Sequence, residues 1–227
     1  MPDSAMLLLL ADGRFPGGGH AHSGGLEAAV ADGSVFDEAT LGSFLRGRVT
    51  TAGPTDAWFA AEAARRMARV AADARVAASV SARPSPLVDL AAWYEARCAS
   101  SAQRSAARVL GRGLRRVAVG VWPEAGRIDV EPYPVVLGAV SHLGGLSDVD
   151  AARLVVHSLL MGTAAAAPKL FSIDMVDAMR AAASVAAMAD AAVATAADPN
   201  PPSPRSAPLT ELRAEAHAAW DVRLFAS

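Results

Sequence analysis

Lysine is almost missing from this 227-residue chain: of 21 basic residues, only Lys169 is not arginine. Cysteine occurs once, at Cys98, which excludes an internal disulfide and fits a reducing compartment. Aromatic residues make up only 5%, so no core can be built around large rings. It must come from Leu, Val, Met and close-packed Ala faces, a composition that suits helices meeting at short range. Neither sign of charge dominates, and the formal net charge of −2 provides no global field towards nucleic acid or an anionic membrane. Long apolar runs are lacking too. Residues 5–11 are bracketed by Asp3 and Asp12, follow no basic residue, and are too short for a membrane span or a signal core. They are expected to be the buried face of a first helix. The alanine-rich stretch 178–197 is interrupted by Arg180 and Asp190. The expected compartment is the cytoplasm.

Strand signals are equally scarce. The best candidates are 126–133 and 133–137, where Pro132 and Pro134 argue against a central strand. What the chain has instead is helical period. Asp37 is placed to cap a helix through about Thr51, and Pro54 suits the first turn of a new one. Helices are expected over 87–97 and 101–122, the latter with a stripe of Ala106, Leu110, Leu114, Val117 and Val121. Residues 135–143 begin another, closed by Gly144 and Gly145. Ser147 and Asp150 form a capping-box-like opening for 151–167. The expectation is an all-α, bundle-like body of about eight to ten helices over 1–197. A proline-rich linker or strap follows at 198–206, then an amphipathic C-terminal helix and docking tail over 207–227. That helix carries Leu209, Leu212, Ala216 and Trp220 on one side. Such a stripe must fold back on the body or be received by another chain.

The densest constellation is DGRFPGGGHAHSGGLE at 12–27. A phosphate-binding loop would need a lysine and a following hydroxyl, and a dinucleotide fold a preceding strand; both are missing. Positive-φ turns explain the glycines better. His20 and His22, with Glu27, could serve a metal-dependent hydrolase, but two imidazoles leave a metal short of ligands. His22 and Ser23 are adjacent, an arrangement that seldom aligns a base with a nucleophile. Ser23 as a helix cap, Leu26 packed inward and Glu27 facing the helix dipole form the simpler reading. Arg104, Arg108, Arg112 and Arg115 or Arg116 form a ridge that could grip a nucleic acid, yet no aromatics interleave it. A solvated face, or a surface for an acidic protein, is the better expectation. No motif calls for a cofactor.

The opening resembles the start of UreF, a family of urease accessory proteins, through Asp12, Pro16, Gly18, His22, Ser23, Gly25, Leu26 and Glu27. Gly111, Arg112, Gly113 and Leu114, followed by Trp122 and Pro123, resemble the family's central elements, as does 134–138. The ending, with Pro208, Leu209, His217, Arg223, Leu224, Phe225 and Ser227, is similar to the family's close. Departures fall at Gly13, His20, Ala107, Leu110, Pro168, Lys169 and Ala218. The resemblance implies an all-helical, dimeric, non-catalytic chaperone. It would bridge a UreD/UreH-type accessory protein to a UreG-type GTPase and regulate GTP-dependent nickel insertion into apo-urease. Nickel would then be cargo of the assembly. The partner-binding surface would comprise the opening and closing motifs, packed near one another, with Gly111 and Arg112 on the body.

Overall fold

A computed structural model describes residues 4–13, 15, 22–76 and 85–225. Among these there is no strand, and ten α-helices carry the chain: α1 Ser4–Ala11, α2 Leu26–Ala31, α3 Glu38–Val76, α4 Val88–Ala96, α5 Ser101–Val121, α6 Tyr133–Leu143, α7 Asp148–Leu170, α8 Met175–Ala183, α9 Ala186–Ala194 and α10 Pro208–Ala218. The all-α expectation holds. The weak strand candidate at 133–137 is the first turn of α6, where Pro134 sits among the early positions that have no intrahelical N–H bond to lose.

α3 is the axis of the molecule, packed against α6 and α7. Its apolar face buries Trp58 and Phe59, and Tyr94 of α4 meets Phe59 edge-on at 5.4 Å. The close approach of α3 and α6 depends on Gly138. A Cβ there would lie 2.0 Å from the Ala60 carbonyl oxygen. Gly111 does the same for α5, where a Cβ would fall 1.7 Å from the Glu131 carbonyl oxygen. Trp58, Phe59 and Tyr94 thus form one aromatic cluster, and alanine faces and glycine notches bring the helices together around it, as short-range helix packing requires.

The caps expected at Asp37 and Ser147 are present, whereas the N-cap of α2 is Gly25 and not Ser23. Asp37 Oδ1 accepts from the Thr40 N–H at 2.9 Å. Ser147 and Asp150 form a reciprocal capping box on α7. Gly145, at φ +75°, lets the chain turn after α6.

Four further expectations need correction. α3 does not break at Pro54 but runs on to Val76. Proline removes the N–H that would bond the carbonyl four residues back, at Thr50. That carbonyl instead accepts from Arg205 Nη1 at 2.9 Å, a donor reaching over from the 198–206 segment. At its other end the segment is fixed by Trp58 Nε1, which donates to the Asp198 carbonyl at 2.9 Å.

On α5 the buried face is Gly111, Leu114 and Ala118, while Val121 is 51% exposed. The rotation follows the Gly111 notch instead of the larger side chains. Among the described side chains of α1 only Leu10 is buried, and Leu8 and Leu9 are exposed, because only one face of this all-round apolar helix meets the body. α10 turns its expected stripe outward: Leu209 and Leu212 are exposed, while Ala214 and His217 are buried.

α7 is long and apolar enough to cross a membrane by length and composition, but 56% of its apolar window is buried inside the molecule. It is a core helix.

Candidate functional site where the two ends meet

The opening motif is shaped by Gly24 and Gly25, at φ +65° and +88°. Only glycine takes this conformation at no steric cost. A side chain at Gly24 would also strike Thr163 Oγ1, at 2.8 Å. The turn sets Ser23 in the interior, where its Oγ accepts from the Glu27 N–H at 3.3 Å. Leu26 is fully buried, as expected.

Glu27 does more than face a helix dipole. Its Oε2 lies 2.9 Å from His217 Nε2 and accepts from the Phe225 N–H at 3.0 Å. Its Oε1 accepts from the Leu224 N–H at 2.8 Å. Burial pushes its pKa up, but the N–H of Leu224, the imidazole of His217 and the N–H of Phe225 together outweigh burial. They hold the carboxyl below its usual range. The first and last motifs are therefore one structure, tied by a buried carboxylate.

Around that tie the tail is seated on three further supports. The Phe225 ring is buried among Leu26, Leu41, Leu45 and Ala164, and Lys169 Nζ stands 5.8 Å from its centroid. Arg213 Nε bonds Asp32 Oδ2 at 2.6 Å. Glu215 Oε1 accepts from the Ala102 N–H at 3.0 Å and from Ser100 Oγ at 2.7 Å, covering the start of α5. The Ser100 hydroxyl and the Ala102 N–H pull the Glu215 pKa down to about 2, against a small opposing effect of burial. These anchors explain the rotation of α10. Ala214 and His217 face the body and Arg213 and Glu215 reach it from either flank, which leaves Leu209 and Leu212 facing out. Val222 and Leu224 are exposed beside them in the sequence. A cavity of about 370 Å³ is lined by Leu10, Asp12 and Phe15 from one end of the chain and by Phe225 from the other.

Other expected residues are placed as follows. Pro16, Gly18, His20 and Ser227 lie outside the described residues. His22 is buried, which lowers its pKa. Arg223 is exposed. Gly111 is the α5 packing notch, and Arg112, half-exposed, pairs with Glu131 at 3.1 Å.

The arginine ridge is largely committed within the chain. Arg104 Nη1 bonds the Cys98 carbonyl at 2.6 Å, and Arg115 Nη1 bonds that of Ile128 at 2.7 Å. Arg108 grips Glu95 with two bonds of 2.7 and 2.5 Å. No group of three or more metal-ligating side chains occurs among the described residues. Glu27 is engaged within the chain by three donors on its two oxygens.

Sequence reasoning missed Arg205, Arg213 and Glu215, whose partners lie more than a hundred residues away and leave no local pattern. It also missed Arg48 and Asp56, which face a second cavity of about 240 Å³ beneath Gly24.

The chain is similar to known proteins. The UreF family model matches residues 35–186. The urease accessory protein UreF of Mycolicibacterium vanbaalenii is 36% identical in an alignment of 231 positions that covers both chains completely. That of Mycobacterium sp. (strain JLS) is 36% identical over 97% of each chain. UreF of Mycobacterium tuberculosis (strain H37Rv) is 38% identical over 77% of this chain and 76% of its own. The first of these alignments runs through both ends that meet at Glu27. On these matches, the chain belongs to the UreF family of urease accessory proteins.

Proposed function

We propose that this protein is a non-catalytic adapter in urease maturation. It docks a UreD/UreH-type accessory protein through the surface formed where its two ends meet, and a UreG-type GTPase through the body around Gly111 and Arg112. The assembly acts on apo-urease in the cytoplasm, with nickel as cargo, and the adapter couples its insertion to the GTPase cycle. A dimer of this chain is the working unit.

The observation that carries the reading is the Glu27 tie. A buried carboxylate, two backbone N–H groups and an imidazole hold the tail in one pose, while Leu209, Leu212, Val222 and Leu224 remain in water. Exposed apolar side chains on a firmly anchored element suit a protein partner, because docking removes them from water without the entropy cost of ordering the element first. No cofactor enters this reading. The rival groups have other work: Glu27 is saturated by donors, and Arg104, Arg108 and Arg115 are held within the chain.

The test is co-purification with a UreD/UreH-type protein after deletion of residues 223–227. The adapter reading expects the partner to be lost while the helical signal stays. Full retention of the partner would refute the tail's part in it.

A further inference from the structure

The second cavity, of about 240 Å³, lies beneath the Gly24 turn and holds a charge with no match. Arg48 of α3 projects into the interior, and its Nη2 lies 3.0 Å from where a Gly24 side chain would begin. Its guanidinium donates no hydrogen bond to any of the described residues, and its Nε is closed off from solvent. A guanidinium has five N–H donors and stays protonated in proteins. Leaving the enclosed Nε–H unmade is costly, and the two Nη groups are left to whatever occupies the cavity.

The carboxylate whose charge acts on it is Asp56, two turns along the same helix, yet the two form no ion pair within 4.0 Å. The Asp56 carboxyl is pushed up to about 6, because burial outweighs the pull of Arg48 and of the Tyr94 hydroxyl. Arg97, with its own buried and unpartnered Nε, and Arg205 also line the cavity, and the remaining carboxylate is that of Glu211. Cationic groups therefore outnumber carboxylates on its walls. A space of this size holds several water molecules, or a few atoms of ligand with some of that water, since one water occupies roughly 30 Å³.

We propose that this cavity is an anion site, in which the Arg48 guanidinium holds a small carboxylate or oxyanion that fits its fork of donors. An anion there satisfies the unmade hydrogen bonds and balances the excess of guanidinium groups. Arg forks suit planar carboxylates and tetrahedral oxyanions alike. When Asp56 is protonated it adds a donor; when ionised it repels the anion and competes for Arg48. The cavity shares walls with the Gly24 turn and α10, but anion binding is read on the chain alone and does not rest on the adapter reading.

The experiment is thermal unfolding of the full chain in sodium acetate or inorganic phosphate, against sodium chloride at equal ionic strength. Arg48→Gln, Asp56→Asn and Arg116→Gln are compared with the parent, Arg116 being an exposed residue of α5. The expected result is a saturable rise in Tm with acetate, phosphate or both, the better probe telling a planar site from a tetrahedral one. Affinity falls about tenfold or more in Arg48→Gln. It is unchanged in Arg116→Gln and tighter in Asp56→Asn. A rise that follows ionic strength alone, or one that Arg48→Gln keeps, shows a cavity holding only water and overturns the proposal. Should Arg48→Gln fail to fold, Asp56→Asn decides: tighter binding supports the site, and equal or weaker binding overturns it.

Discussion

Glu27 and His217, 190 positions apart in the sequence, meet at 2.9 Å in the interior and join the beginning of the chain to its end. The Leu224 and Phe225 N–H groups complete the contact. Charge-assisted bonds of this kind contribute about 1.5–3 kcal/mol each when a partner is removed. Burial of the Phe225 ring adds about 1.5–3 kcal/mol.

Glu27→Ala is therefore expected to release the tail without unfolding the body. The cost is capped at the docking energy of the tail, because freed donors can turn to water. Amide exchange over 217–225 should accelerate by about a hundredfold, the equivalent of roughly 2.7 kcal/mol, while α3, α6 and α7 stay protected. Glu27→Gln, which keeps one carbonyl acceptor, should fall between.

Acid should undock α10 from α5. The folded Glu215 pKa, about 2, lies below its ordinary value of 4.5. Its contribution is thus fully present above about pH 4.5 and is lost as pH falls from there through 2. Glu27 is also held below its usual range, so the tail loosens in the same direction. NMR shifts of the α10 amides should report this between pH 4.5 and 2, and Glu215→Gln should abolish the Glu215 part of the transition.

The two glycine notches should not tolerate a methyl group. Gly138→Ala and Gly111→Ala place Cβ atoms 2.0 and 1.7 Å from carbonyl oxygens, so whole helices must shift. A loss of about 3 kcal/mol or more is expected from urea midpoints, at or beyond the upper end of ordinary overpacking. Gly120→Ala, on the same α5 but with open space around it, should gain about 0.5–1 kcal/mol.

Pro54 and Arg205 should be energetically coupled. Pro54→Ala supplies the missing N–H to the Thr50 carbonyl, which makes the Arg205 bond redundant. Arg205→Gln should then cost less in the Pro54→Ala background than in the parent, by about 0.5–1 kcal/mol in a double-mutant cycle.

These residues also show what a sequence can and cannot reveal. Caps at Asp37 and Ser147 were legible because capping is chemistry within four residues. The helical class was legible from apolar period. The unbroken α3 was not, because the donor that repairs Pro54 comes from a strap more than 150 positions away. The outward stripe of α10 was not legible either. Periodicity finds an apolar face, but Glu215 and Arg213 decide which face docks, and their partners are distant. Leu26 was correctly placed inside, whereas Ser23, expected as a helix cap, is buried and Gly25 takes the N-cap position. The joining of Glu27 to His217 could be suspected only from the paired opening and closing motifs, since no spacing rule links residues so far apart.

The most direct measurement is the mass, by light scattering, of this protein mixed with UreD/UreH-type and UreG-type proteins, with and without GTP. An adapter yields one assembly containing all three, whose composition changes with nucleotide, and Glu27→Ala removes the UreD/UreH-type component. If the purified chain joins neither protein, or if it binds both equally well with its tail released, the molecule is not held to its partners by the surface where its ends meet.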